Sequence, residues 1–114
     1  MQLHRELVLL ISCGLGEQKL LEIRELIFLD RIIEKLDRKH GVRPEEVEEI
    51  FFHLPRFRFV EKGTRKNENV YAALGQTYSG RYLIVFFIYK QNKNALILSA
   101  RDMDNAERRR YQNK

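Results

Sequence analysis

Arginine and tyrosine are the residues in this sequence best suited to chemistry, and most of them lie in its second half. Arg56, Arg58, Arg65, Lys66, Arg81, Arg101, Arg108, Arg109 and Arg110 could line one anionic groove, and Tyr71, Tyr78, Tyr82 and Tyr111 add phenol rings. A guanidinium forks a phosphate with two charge-assisted hydrogen bonds, and a tyrosine ring stacks on an exposed base. That combination suits a polyanion such as RNA. The competing reading is structural: arginines are the expected solvent face of a strand, and a tyrosine is commonly a half-buried core residue.

Charge points the same way. Residues 1–55 carry 8 basic and 11 acidic groups, a net of −3, whereas residues 56–114 carry 13 and 5, a net of +8. Such asymmetry suits a nucleic acid or an acidic partner. Other chemistries find little support. No serine sits in a Gly-x-Ser-x-Gly elbow, and Gly14 with Gly16 matches neither a dinucleotide fingerprint nor a P-loop. His4, His40 and His53 lie at spacings that do not suit metal ligands, so neither a metal nor a cofactor is expected. Cys13 is the single cysteine, which rules out an intrachain disulfide and suits either a reducing compartment, here expected to be the cytoplasm, or no redox role. The residues Leu10-Ile11-Ser12-Cys13 fit a lipoprotein cleavage box, but the apolar stretch before them is short. Membrane anchoring at Cys13 is therefore not expected, and no apolar run approaches the ~18 residues of a span. Glu45 and Glu46 read as a helix start rather than an acid/base pair, because the helix dipole already accounts for them.

The elements that must position these groups follow from periodicity. Residues 1–22 share no pattern with the rest and read as an extension of uncertain structure, with a single domain over 23–114. Ile23 to Phe28 suits a short strand. Asp30 is a candidate N-cap for a helix whose stripe is Leu29, Ile32, Ile33 and Leu36, ending at Gly41. Pro44 suits the first position of a second helix, with Val47, Ile50, Phe51 and Leu54 as its buried face and Pro55 as its stop. From Arg56 the period becomes two. Strands are predicted over 56–60, 69–76, 82–89 and 95–101, separated by a loop at 62–68 and turns at 77–80 and 91–94. The apolar run Tyr82 to Tyr89 suits a central strand covered on both faces. Asp102 or Asp104 can cap a terminal helix carrying Glu107, Arg108, Arg109, Arg110 and Tyr111. The fold expected is α+β: two N-terminal helices packed on an antiparallel sheet of about four strands, with a C-terminal helix.

In order along the chain, Lys39-His40-Gly41-Val42, Pro44-Glu45-Glu46-Val47, Gly75, Gly80-Arg81-x-Leu83-x-Val85-x-Phe87, Ser99-Ala100-Arg101 and Glu107-Arg108-x-x-Tyr111 resemble the BrnT family of type II toxins. The resemblance covers about residues 23–112. It implies a RelE-like fold, RNA cleavage without metal or cofactor, inhibition of translation, and neutralisation by a cognate ribbon-helix-helix antitoxin. The positions that match the family pattern are His40, Arg81, Arg101, Glu107, Arg108 and Tyr111. Arg101 is expected to hold the scissile phosphate with Arg81 assisting, while acid/base work is left among His40, Tyr111 and Glu107, since arginine does not give up its proton. Glu107 is expected either to orient Tyr111 or to pair with Arg101. Arg56, Arg58, Arg108, Arg109 and Arg110 are the candidate RNA-binding residues. The sequence departs from the family in having no arginine in the strand containing Asn69-Val70-Tyr71. The alternative reading is a non-catalytic module of the same fold that binds RNA or an acidic protein.

Overall fold

The computed structural model describes residues 3–13, 19–53, 55–63 and 68–112. Two helices follow the predicted stripes. In α1 (Asp30–His40), Ile32 and Leu36 are buried, and Leu29 and Ile33 pack partly against them. Asp30 is the first helical residue rather than the cap; Leu29 takes the cap position in extended conformation with no side-chain cap bond. The helix stops at Gly41, whose left-handed φ of 60° lets its N–H bond back to the Asp37 carbonyl. In α2 (Pro44–Phe52), proline fills the first turn and Glu46 Oε1 accepts the Arg43 N–H at 3.0 Å. Val47, Ile50 and Phe51 are buried as expected, while Leu54 lies outside the described residues. Glu48 is also buried, at 5% exposure.

The strands are β1 (Leu3–Cys13), β2 (Lys19–Phe28), β3 (Arg56–Glu61), β4 (Asn69–Gln76), β5 (Tyr82–Tyr89) and β6 (Asn94–Asp102), and α3 (Asn105–Gln112) follows. They form one sheet in the order β1-β2-β6-β5-β4-β3. β3 to β6 make the antiparallel meander read from the sequence. The expectation of about four antiparallel strands is corrected in two respects. Among the described residues the sheet has six strands, and β2 pairs with β6 in parallel, Glu25 to Ile27 opposite Asn94 to Leu96. Local pattern carries no signal for that pairing, because its partners lie far apart in the chain. The strand Ile23–Phe28 is found but begins earlier, at Lys19, and pairs antiparallel with β1.

Alternation along β5 divides the core between the two faces of the sheet. Leu83, Val85 and Phe87 join Phe57, Ala73, Ile97 and the buried stripes of α1 and α2 in the larger cluster. Phe51 packs edge-on to Phe87, with centroids 5.4 Å apart. Gly75 admits α2 here: a Cβ on it would stand 3.0 Å from Ile50 Cγ2. On the opposite face Ala72, Leu74, Ile84 and Met103 form a smaller cluster, with Tyr82, Phe86 and Tyr111 packed on it. α3 covers this second face, so β5 is apolar on both sides because both are covered.

Candidate nucleic-acid interface

Asp104 caps α3 in a reciprocal box: the Glu107 N–H donates to Asp104 Oδ1 at 2.7 Å, and the Asp104 N–H donates to Glu107 Oε1 at 2.9 Å. The cap holds Glu107 at 8% exposure facing the end of β6. There Arg101 forks it, Nη1 to Oε1 at 2.9 Å and Nη2 to Oε2 at 3.0 Å, with the guanidinium carbon 5.6 Å from the Phe86 ring centroid. The Arg101 guanidinium, chiefly through its hydrogen bonds, holds the Glu107 carboxyl below the usual carboxylate range against the opposing effect of burial. The Arg101 proton affinity rises in turn. One turn along α3, Arg108 stacks over Tyr82 at 4.4 Å, Gln112 donates to the Tyr82 hydroxyl at 3.1 Å, and Tyr111 meets Tyr82 edge-on. Between α3 and the β3–β4 pair lies an open cleft of about 250 Å³ lined by Arg56, Phe57, Arg58, Leu74, Arg110 and Tyr111. Arg56 and Arg58 reach this face by period two, opposite Leu74 and Ala72 of β4.

Arg81 faces the other way. Its Nε donates to Asp102 Oδ1 at 2.7 Å, Nη2 to the His40 carbonyl at 2.8 Å, and Nη1 to the Gly41 carbonyl at 2.9 Å and to Glu46 at 3.2 Å. One side chain thus ties the start of β5 to the end of β6, the C-terminus of α1 and the first turn of α2. Its cation also offsets the negative end of the α1 dipole. The Arg81 hydrogen bonds hold the Asp102 carboxyl below its ordinary range. His40 lies on this side, at the end of α1, where its carbonyl accepts the Arg81 Nη2 hydrogen bond.

Residues 33–107 match the family described as the ribonuclease toxin BrnT of type II toxin-antitoxin systems. This chain belongs to the BrnT family. A search of curated proteins gives no match. The matched region of this BrnT chain runs from within α1 to Glu107, so it includes Arg81, Arg101 and the ion pair at the start of α3. A toxin of this kind has an antitoxin partner and an RNA substrate.

In this BrnT chain the structure brings together Arg101, Glu107, Arg108, Tyr111, Arg56, Arg58 and Arg110 on the α3 face, and sets His40 and Arg81 apart from them. Arg81, expected to assist Arg101, lies on the opposite face of the sheet, where its Nε, Nη1 and Nη2 all bond within the fold. Of the two roles expected for Glu107, the geometry shows the pair with Arg101. Arg109 is exposed on α3. Tyr71 packs among Phe87, Tyr89 and Phe59 on the α1–α2 face, and Tyr78 sits in the β4–β5 turn against His53, so neither reaches the cleft. Arg65 and Lys66 lie outside the described residues. Sequence reading missed the parts that tertiary contact supplies, Phe86 beneath Arg101 and the Arg81–Asp102 pair; the sequence signal for the second was the position of both residues at strand ends, where side chains meet helix termini. Among the described residues, no three His, Cys, Asp or Glu side chains are grouped to hold a metal, and no helix is long and apolar enough to cross a membrane.

Proposed function

We propose that this BrnT-family chain is a cytoplasmic endoribonuclease of RelE-like fold that cleaves RNA without a metal, inhibits translation, and is held in check by a ribbon-helix-helix antitoxin. The observation that carries this reading is the side-chain set on the α3 face: Arg101 oriented by Glu107 on Phe86, beside a cleft lined by Arg56, Arg58, Arg110 and Tyr111. In the proposed reaction the ribose 2′-hydroxyl loses its proton and attacks the adjacent phosphorus, the bond from phosphorus to the 5′-oxygen breaks, and that oxygen takes a proton. The products are a 2′,3′-cyclic phosphate and a 5′-hydroxyl. Arg101 stabilises the charge that grows on the phosphorane oxygens, as a preorganised donor should. Arg56, Arg58, Arg108, Arg109 and Arg110 hold the flanking phosphates. Tyr111, the phenol in the cleft, gives its proton to the departing 5′-oxygen, and the proton lost by the 2′-hydroxyl passes through solvent and restores the phenol. Glu107 is a positioning residue, because a carboxylate held ionised by two arginine bonds is a weak proton acceptor near neutral pH. Arg81 and His40 take no part.

A second reading, a non-catalytic RNA-binding module, is favoured by one observation: both Arg101 terminal nitrogens are already engaged by Glu107. Induction of the chain in a bacterial host, beside Arg101→Ala, separates the two. The expected outcome is growth arrest with RNA fragments ending in cyclic phosphate for the parent and neither for the variant. Intact RNA with the folded parent, together with salt-sensitive RNA binding by it, would favour the module.

A further inference from the structure

β3 closes one end of the sheet, with β4 on its inner side. An end strand presents unpaired N–H and C=O groups and can accept another strand. Its side chains specify what that strand must look like. Arg56 and Arg58 point to the α3 face, opposite Leu74 and Ala72, while Phe57 and Phe59 point to the α1–α2 face, opposite Ala73 and Tyr71. Phe59 is 50% exposed and packs edge-on to Tyr71; Val60 is 38% exposed. The register shift between Phe59 and Glu61 leaves Arg56 to Phe59 as the regular stretch for pairing.

We propose that this edge takes an extended segment of the antitoxin as a seventh strand, and that the segment alternates acidic residues facing Arg56 and Arg58 with apolar residues facing Phe59. The proposal rests on the family's antitoxin partnership. Charge excludes the simplest competitor, a second copy of this chain. In a two-fold β3–β3 pair, opposed residues share a face, so arginines of one copy would stand against arginines of the other, which destabilises the pairing. An acidic strand turns the same positions into cross-strand ion pairs. Because Arg56 and Arg58 also line the cleft, the added strand removes two phosphate ligands from RNA, and neutralisation becomes direct competition.

The probe is the capped hexapeptide of alternating Glu and Val, titrated into the isotope-labelled full chain while backbone amides are followed by NMR. The expected result is shifts at Arg56 to Phe59, lost when the peptide is N-methylated throughout. Arg56→Glu with Arg58→Glu should weaken binding at least about tenfold, as like charges across a pair do, and a Lys/Val peptide should restore it. Equal binding of methylated and plain peptides, shifts away from β3, or no shifts at the highest soluble peptide concentration would each overturn the proposal. Concentration-dependent β3 shifts without peptide would assign the edge to a second copy and overturn it too. RNA cleavage is read in the same samples: its absence sinks the nuclease reading and leaves the strand proposal to be judged on the amide map alone, while cleavage unaffected by bound peptide sinks the competition.

Discussion

Glu107 links stability to pH through a single pair. Its folded-state carboxyl titrates below the ordinary value because Arg101 donates two hydrogen bonds to it, and Asp102 is shifted the same way by Arg81. A carboxyl with a depressed folded pKa favours the fold above its unfolded value, and that contribution is lost as pH falls toward the folded value. Thermal stability should therefore be level from neutral pH down to about 5 and decline below ~4, the unfolded carboxylate range. Glu107→Gln should melt lower at neutral pH and lose less on acidification, with the remaining decline owed in part to Asp102. Melting curves across pH check this, and a variant that keeps the parent's full acid decline would contradict it. At this scale the sequence was legible by type but not by direction. Arg81 and Arg101 look equivalent in the chain, and only alternation and the elements over each face decide that one ties helix ends together while the other pairs with Glu107 on the α3 face.

Among the elements, α2 and β4 are in closest approach at Gly75, where a Cβ would stand 3.0 Å from Ile50 Cγ2 and 3.4 Å from its Cδ1. Gly75→Val therefore has to push α2 off the sheet or force Ile50 from its rotamer. The expected cost is about 1–3 kcal/mol, the usual range for overpacking a filled core, read as a lower urea midpoint with unchanged slope. A neutral result would show that α2 repacks freely. The helices and the meander were legible because period 3.6 in Leu29, Ile32, Ile33 and Leu36, and period two from Arg56, are local signals. The hairpin of β1 and β2 was not: its strands show weak alternation, and its parallel seam to β6 is made between residues distant in sequence.

Seen as a whole molecule, one face of the sheet gathers arginines from three elements. β3, β6 and α3 bring Arg56, Arg58, Arg101 and Arg110 to the α3 face, whereas the α1–α2 face mixes acidic residues with Arg81 and the basic residues of α1. RNA binding should then fall steeply with salt. If Arg101 and the five flanking arginines each neutralise one phosphate of a single strand, log K declines against log salt with a slope of about −4, and Arg58→Ala reduces the slope by about 0.7. Fluorescence anisotropy with a labelled single-stranded RNA across a salt series measures both. A slope near zero would mean that the basic face is not the RNA surface.

The sequence by itself determined the helices, the meander, the basic second half and the order of motifs that resembles the BrnT family, because each depends on neighbours in the chain or on residue type alone. The tertiary structure decided which arginines share a face, that Glu107 serves Arg101, that Arg81 is spent on helix ends, and that β3 is left at the sheet edge. Those facts depend on strand order and on which helix covers which face, and such contacts between distant residues leave no periodic trace.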